Sequence, residues 1–208
     1  MARRALFKMA LLRYFSGMNA AAPILTTPRK LGLRVEDFLL LNDSGAFNDY
    51  GKTELIDGDI YVMNAQFSKH AGAKSRLAFA LTMRLREIGS DLVLMTEVAV
   101  RLNGDSMPEP DIVIHRWRGD GPVPADWVAL VVEVADTTLD RDLGRKSDLY
   151  AAAGIPEYWV IDLTEGRALM HEFPDADGYH GQLDILLTER LNSATIAGLE
   201  VEGAVVTG

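Results

Sequence analysis

The sequence predicts an α/β domain built as a mixed β-sheet flanked by helices. Three observations carry that prediction. Glu54-Leu-Ile-Asp-Gly-Asp-Ile-Tyr-Val-Met63 sets an Asp57-Gly58 turn between two β-prone runs, the strongest short hairpin signal in the chain. Trp127 to Val134 contains an apolar run of the kind that fits a strand buried on both faces. Between and after these lie two helix-length stretches with apolar residues at helical spacing. Strand-like and helix-like segments that alternate in this way pack as layers around one sheet.

Taken in order, residues 1–30 are set apart as an N-terminal extension. Met1 to Phe15 mixes Arg3, Arg4, Lys8 and Arg13 with apolar residues, and Lys8 interrupts the apolar stretch that a secretory signal needs. The segment suits either a basic amphipathic helix touching membrane or nucleic acid, or an extension from an early start codon with Met18 as the true start. The domain proper is expected over 31–208. Val35 to Leu41 reads as a short helix and Asn42 to Tyr50 as a polar loop. After the hairpin, Ser68 is placed to cap a long helix that runs to Gly89, with Leu77, Leu81, Leu85 and Ile88 as its stripe. Asp91 to Leu102 is β-prone, and Asp111 to His115 is a further short strand. Gly119 to Asp126 is a Gly/Pro loop leading to the apolar strand. A helix follows from about Leu139 to Ala153, stopped by Gly154 and Pro156. Tyr158 to Asp162 is another apolar strand, and the chain from Arg167 onward alternates weakly, as two or three short strands would.

Composition bounds the function. The chain has 208 residues, 48% hydrophobic and 25% charged, as an ordinary globular protein has. It contains no cysteine, which excludes a disulfide framework, a thiolate metal site and a cysteine nucleophile, and fits a reducing cytoplasm. No run of about 18 apolar residues occurs, so no membrane-spanning helix is expected. The net charge of −9 argues against a protein that coats nucleic acid nonspecifically, but leaves room for an enzyme with one local basic strip. Lys69, Lys74, Arg76, Arg84 and Arg86 along the long helix are candidates for such a strip.

Three residues stand out chemically. Glu133 interrupts the apolar run Leu130-Val-Val-Glu-Val134; a carboxylate there fits a solvent-facing strand face, a buried ion pair or a metal ligand. Asp111 follows Pro110, as a turn residue or a ligand at the start of a strand would. Lys146 lies in the stripe Leu139, Leu143, Lys146, Tyr150, Ala153, so it either snorkels to water or is held near carboxylates from the sheet. Together they make chemical sense. Two carboxylates on neighbouring strands hold Mg²⁺ (or Mn²⁺), which activates a water and polarises a phosphodiester, and a lysine beside them offsets charge. There is no Walker loop, HExxH, Gly-x-Ser-x-Gly elbow or Rossmann fingerprint, and His70, His115, His171 and His180 lack zinc-like spacing.

The segments Glu54-Leu-Ile-Asp-Gly-Asp-Ile60, Pro110-Asp-Ile-Val-Ile114, Leu130-Val-Val-Glu-Val134 and Lys146 through Asp162 occur in an order that resembles the Uma-type restriction endonucleases, a branch of the PD-(D/E)XK nuclease superfamily. The resemblance covers roughly Val35 to Leu186. It implies a restriction-endonuclease-like fold, a Mg²⁺-dependent endonuclease acting on DNA, Asp111 and Glu133 as metal ligands, Glu54 as the N-terminal acidic residue near the metal, and His70 as the histidine opening the first long helix. Two departures accompany it. The superfamily's minimal pattern places lysine two residues after the glutamate, where this chain has Ala135; in branches of this kind the lysine is displaced to the following helix, which points to Lys146. Asp136-Thr-Thr138 replaces the usual Ser-Pro-Ser/Thr turn, with capping chemistry retained. A homodimer is expected, because two symmetric sites cut both strands of a duplex most simply. The competing expectations are a catalytically silent binding or scaffold protein on the same fold, and cleavage of RNA or a repair intermediate.

Overall fold

The computed structural model describes residues 27–63, 67–136, 139 and 142–208. The chain divides into two units, Met1–Leu31 and Gly32–Gly208. The extension expected over 1–30, with its basic helix and second start at Met18, lies almost wholly outside the described residues, and 27–31 carry neither helix nor strand. Every element named below belongs to the second unit.

Helix α1 (Val35–Asp43) opens with an Arg34–Asp37 reciprocal contact and buries Val35 and Phe38. Strands β1 (Thr53–Ile56) and β2 (Asp59–Val62) form the expected hairpin in register Glu54 to Tyr61. Asp57 (φ 53°) and Gly58 (φ 77°) are both left-handed, the geometry of a tight two-residue turn whose twist matches its strands. Helix α2 (Ser68–Glu87) begins at Ser68 with Phe67 in the capping position, so the serine opens the helix instead of capping it. Gly89, at φ 67°, ends it as expected. The single β-prone stretch 91–102 is two strands, β3 (Val93–Thr96) and β4 (Val100–Arg101), broken where Glu97 turns to φ 53°. Strand β5 (Ile112–His115), the short β6 (Val123–Pro124) that pairs with β4, a 3₁₀ turn and β7 (Val128–Ala135) follow.

The helix expected from Leu139 to Ala153 is not continuous. A wide π-type turn over Asp142–Lys146 kinks at Gly144 (φ −93°, ψ −111°) before the short helix α3 (Ser147–Ala152). A residue with no Cβ tolerates that backbone, and the apolar stripe did not register the break. Strand β8 (Glu157–Asp162) is buried throughout. The weakly alternating C-terminal region holds longer strands than expected, β9 (Arg167–Asp175) and β10 (Gly178–Leu186), then β11 (Arg190–Asn192), β12 (Glu200–Glu202) and a closing 3₁₀ turn.

Among the described residues, the central sheet has six strands in the order β10-β9-β8-β7-β5-β3, antiparallel except for the β7–β8 pair. The parallel pair requires a crossover, and α3 supplies it. Alternation along β7 splits the core in two. Leu130, Val132 and Val134 face Leu77, Leu81 and Leu85 of α2, while Val131 and Ala135 face Tyr150, Ile155 and Tyr158. Each fully buried leucine or valine contributes about 1.5–3 kcal/mol. A third cluster, Val35, Phe38, Leu55 and Met107, fastens α1 to the hairpin. Among the described residues no helix is long and apolar enough to cross a membrane.

Candidate active site

The site forms where β5, β7, the β1–β2 hairpin and the kinked turn meet. Register on β5 and β7 runs Ile112 to Val132 and Val113 to Val131, and one step further sets Asp111 beside Glu133. Two hydrogen bonds fit that placement. The Val134 amide donates to Oδ2 of Asp111 at 2.9 Å, and the Asp111 amide donates to Oε2 of Glu133 at 3.4 Å. The two carboxylates are therefore neighbours across one strand pair, both buried.

Each carboxylate is met from a different direction. Asp111 receives α2: His70 Nε2 lies 3.1 Å from Oδ2, and Lys74 Nζ lies 3.6 Å from Oδ1 and 2.6 Å from Glu97. Glu133 receives the kinked turn and α3: Lys146 Nζ is 2.7 Å from Oε1, and the Tyr150 hydroxyl donates to the same oxygen at 3.1 Å. Lys146 also reaches Oε1 of Glu54 at 3.4 Å, and that oxygen accepts from the Glu109 amide at 3.1 Å. Glu54 is buried in the hairpin strand, so it is part of this cluster and not a solvated charge at the turn. Arg145, the neighbour of Lys146, pairs with Asp57 at the hairpin tip and ties the kinked turn to β1–β2.

Electrostatics separates the two carboxylates. Burial works against the charge of Asp111, but the hydrogen bond and charge of His70, the Val134 amide and Lys74 outweigh it and hold the group at about 2. His70 is disfavoured by its own burial and is nonetheless raised, chiefly by its bond to Asp111. Glu133 goes the other way. Burial pushes it up to about 7 against the pull of Lys146, and the negative charges of Asp142, Asp111 and Glu54 add to the rise. Lys146 is raised despite burial because Glu133 and Glu54 face it, so the ammonium stays charged. Tyr150 is raised by burial and by Glu133, and so remains a neutral donor. Lys146 thus faces Glu133, Glu54 and Asp142, while His70 and Lys74 serve Asp111.

That arrangement bears on metal chemistry. Among the described residues, no three His, Asp or Glu side chains stand together as a ready cage. Mg²⁺ does not require one, since it binds through one or two carboxylates and keeps several waters. Asp111 and Glu133 offer two adjacent hard oxygen donors, and this donor set fits the ion.

A family model described as “Putative restriction endonuclease”, Uma2, matches residues 35–204. The chain belongs to the Uma2 family. A solved structure from Anabaena variabilis ATCC 29413, described as a “putative nuclease belonging to DUF820”, shares the fold with TM-score 0.64 and 13% identity, covering 84% of this chain and 97% of that one. No curated protein matches the chain.

For this Uma2 member, the structure gathers Glu54, His70, Asp111, Glu133 and Lys146 into one cluster. It adds residues that sequence reasoning missed in this role. Lys74 sits on the α2 face turned towards Asp111, not on a free basic strip. Of the other strip candidates, Lys69 pairs with Asp136, Arg76 donates to the carbonyls of Val205 and Val206, and Arg84 binds Gly198 and Glu200. Only Lys74, two short steps along the helix from His70, carried a signal: the i, i+4 spacing puts both on one face. Tyr150 was read as packing alone, and Glu97 sat in a stretch read as strand.

Proposed function

We propose that the chain is a Mg²⁺- or Mn²⁺-dependent endonuclease that hydrolyses phosphodiester bonds in DNA, with Asp111 and Glu133 holding the ion. The observation that carries this reading is the buried contact of Lys146 with Glu133 and Glu54, one strand away from Asp111. Membership in the Uma2 family supports it. When bound, such an ion would polarise the phosphodiester and lower the pKa of a water.

The chain's own groups have separable tasks. Asp111, ionised at any physiological pH, is the constant anionic ligand, and His70 fixes its orientation. Glu133 is the second ligand; burial pushes its carboxyl up, and an arriving cation would favour the ionised form. Lys146 remains an ammonium and offsets the negative charge that builds on the phosphate as the bond breaks. Cutting both strands of a duplex would use two such sites, so the active species is a homodimer.

The test is incubation of the purified chain with plasmid, linear and single-stranded DNA, with Mg²⁺, Mn²⁺ or EDTA. Metal-dependent nicking or linearisation is expected, and the Lys146→Ala protein should lack it. No cleavage of any substrate by the wild-type chain would overturn the reading. Light scattering at micromolar concentration tests the dimer, and a strictly monomeric mass counts against it.

A further inference from the structure

A cavity of about 380 Å³ opens between α1, the start of β1 and the segment leading into β5. Its walls include Phe38 and Phe47, whose rings stack with centroids 5.2 Å apart at 28°. Its polar lining includes the side chains of Asn42 and Asn48 and the Lys52–Glu109 pair. Lys52 Nζ donates to the Glu109 carbonyl at 2.7 Å and lies 3.3 Å from its carboxylate. The cavity adjoins the acidic cluster directly: the Glu109 amide bonds to Glu54, and Glu54 contacts Lys146.

We propose that this cavity receives one unstacked nucleobase of the strand held at the acidic cluster. The proposal rests on the nuclease reading above and names a substrate contact that the cluster alone does not provide. Phe38 is buried behind Phe47, and the half-buried Phe47 is the ring that offers a face to a base; every base has a π face and stacks without regard to sequence. The amides of Asn42 and Asn48 offer donors and acceptors together, and the Lys52–Glu109 pair does the same, which matches the mixed edge of a base. A volume of this order is that of a small-ligand site. Its location is equally selective. Thr53 and Glu109 on its wall flank Glu54 of the cluster, so a base next to the reacting phosphate is the part of the substrate placed to enter once it leaves the stack.

The experiment uses the full chain in Ca²⁺, a hard cation with the same oxygen preference, and short single-stranded DNA. An abasic site is moved one nucleotide at a time along the oligonucleotide, and 2-aminopurine is placed at the same positions. One register should bind about tenfold more weakly when abasic, and 2-aminopurine there should change its emission on binding. Phe47→Leu keeps an apolar side chain at a half-buried position but removes the π face, and should abolish both effects. If the wild-type chain binds and cuts DNA while every abasic position leaves affinity unchanged, the cavity is not a base site and the nuclease reading stands. If the chain neither binds nor cuts DNA, both readings fall together, a distinguishable result.

Discussion

Two buried glutamates on neighbouring parallel strands have opposite fates. Glu157, at the start of β8, is saturated with donors: Trp159 Nε1 at 2.7 Å, the hydroxyls of Ser193 at 2.6 Å and Thr195 at 2.7 Å, and the amides of Ala194 and Thr195 at 3.1 and 3.2 Å. These bonds fasten the 193–195 turn to the sheet, so the carboxylate is a structural staple. Glu133, in the middle of β7, meets one ammonium, one phenol and one long amide contact, with other carboxylates nearby. Burial alone therefore does not mark a functional acid. What marks it is burial with too little positive charge and too few donors, a state that a cation would complete.

The largest expected effect tests the functional side of that contrast. Glu133→Gln and Lys146→Ala should each lower the rate of DNA cleavage by about 10²–10³-fold, the cost of removing one group that stabilises developing charge. Lys146→Ala should leave the thermal midpoint close to wild type, because Glu133 can then take up a proton at its raised pKa, whereas Glu133→Gln leaves the buried ammonium with the longer Glu54 contact and should lower it. Arg145→Ala is a poor control for the lysine, since it cuts the tie between the kinked turn and Asp57. Arg141, a second basic residue of this segment, lies outside the described residues.

The structural side predicts the reverse. Glu157→Gln should destabilise the protein by about 2–4 kcal/mol, because several charge-assisted bonds weaken at once. Each kcal/mol lowers the midpoint by roughly 2–4 °C in a chain of this size, so calorimetry reads the change directly. Metal affinity should be preserved. If Glu157→Gln loses activity but not stability, or Glu133→Gln does the converse, the division between staple and site collapses.

Metal addition separates the two more finely. Mg²⁺ should raise the thermal midpoint of the wild-type chain and of Glu157→Gln, through a stabilisation of about 2.7 kcal/mol at a hundredfold excess over Kd. It should not do so for Asp111→Asn or Glu133→Gln. An equal shift in all four proteins, measured by scanning fluorimetry, would assign the ion to a different place.

The sequence exposed Glu133 and Lys146 because each breaks a local pattern, a charge in an apolar strand or in an apolar helical stripe. Asp111 became legible only beside them. The fold class, the hairpin and the two flanking helical regions were legible for the same reason, since periodicity reports which face is buried. Glu157 was hidden because it follows Gly154, Ile155 and Pro156, where a charge looks like loop surface. Lys74 was hidden because it is one of several basic residues along one helix, and Glu97 because it needs a left-handed backbone that its residue type does not announce. The break at Gly144 escaped for a different reason. A stripe at helical spacing survives a kink if residues on both sides still face the sheet, as Leu143, Lys146 and Tyr150 do.

The smallest effect concerns pH, and it isolates ordinary burial from the charge shortage at Glu133. His171 on β9 lies between Tyr158 and Tyr179, with ring centroids 5.8 and 5.7 Å away, and among the described residues its Nε2 has no hydrogen-bond partner. Burial lowers its pKa below the ordinary 6.5. A histidine held neutral in the fold takes up its proton more readily when unfolded. Its contribution is therefore fully present above about pH 6.5 and is lost as pH falls through the lower, folded value. His115 on β5, lowered by burial and then by Arg118, adds a slope of the same sign. Glu133 has the opposite sign, because a carboxyl raised to about 7 favours the fold at low pH and loses that contribution as pH climbs from 4.5 towards 7. In metal-free buffer, His171→Phe should flatten the fall in thermal midpoint between pH 7 and pH 5 without altering the DNA cleavage rate at pH 8. Unchanged steepness in that variant would mean that the imidazole finds a partner in solution, and that His115 carries the acid sensitivity of the fold.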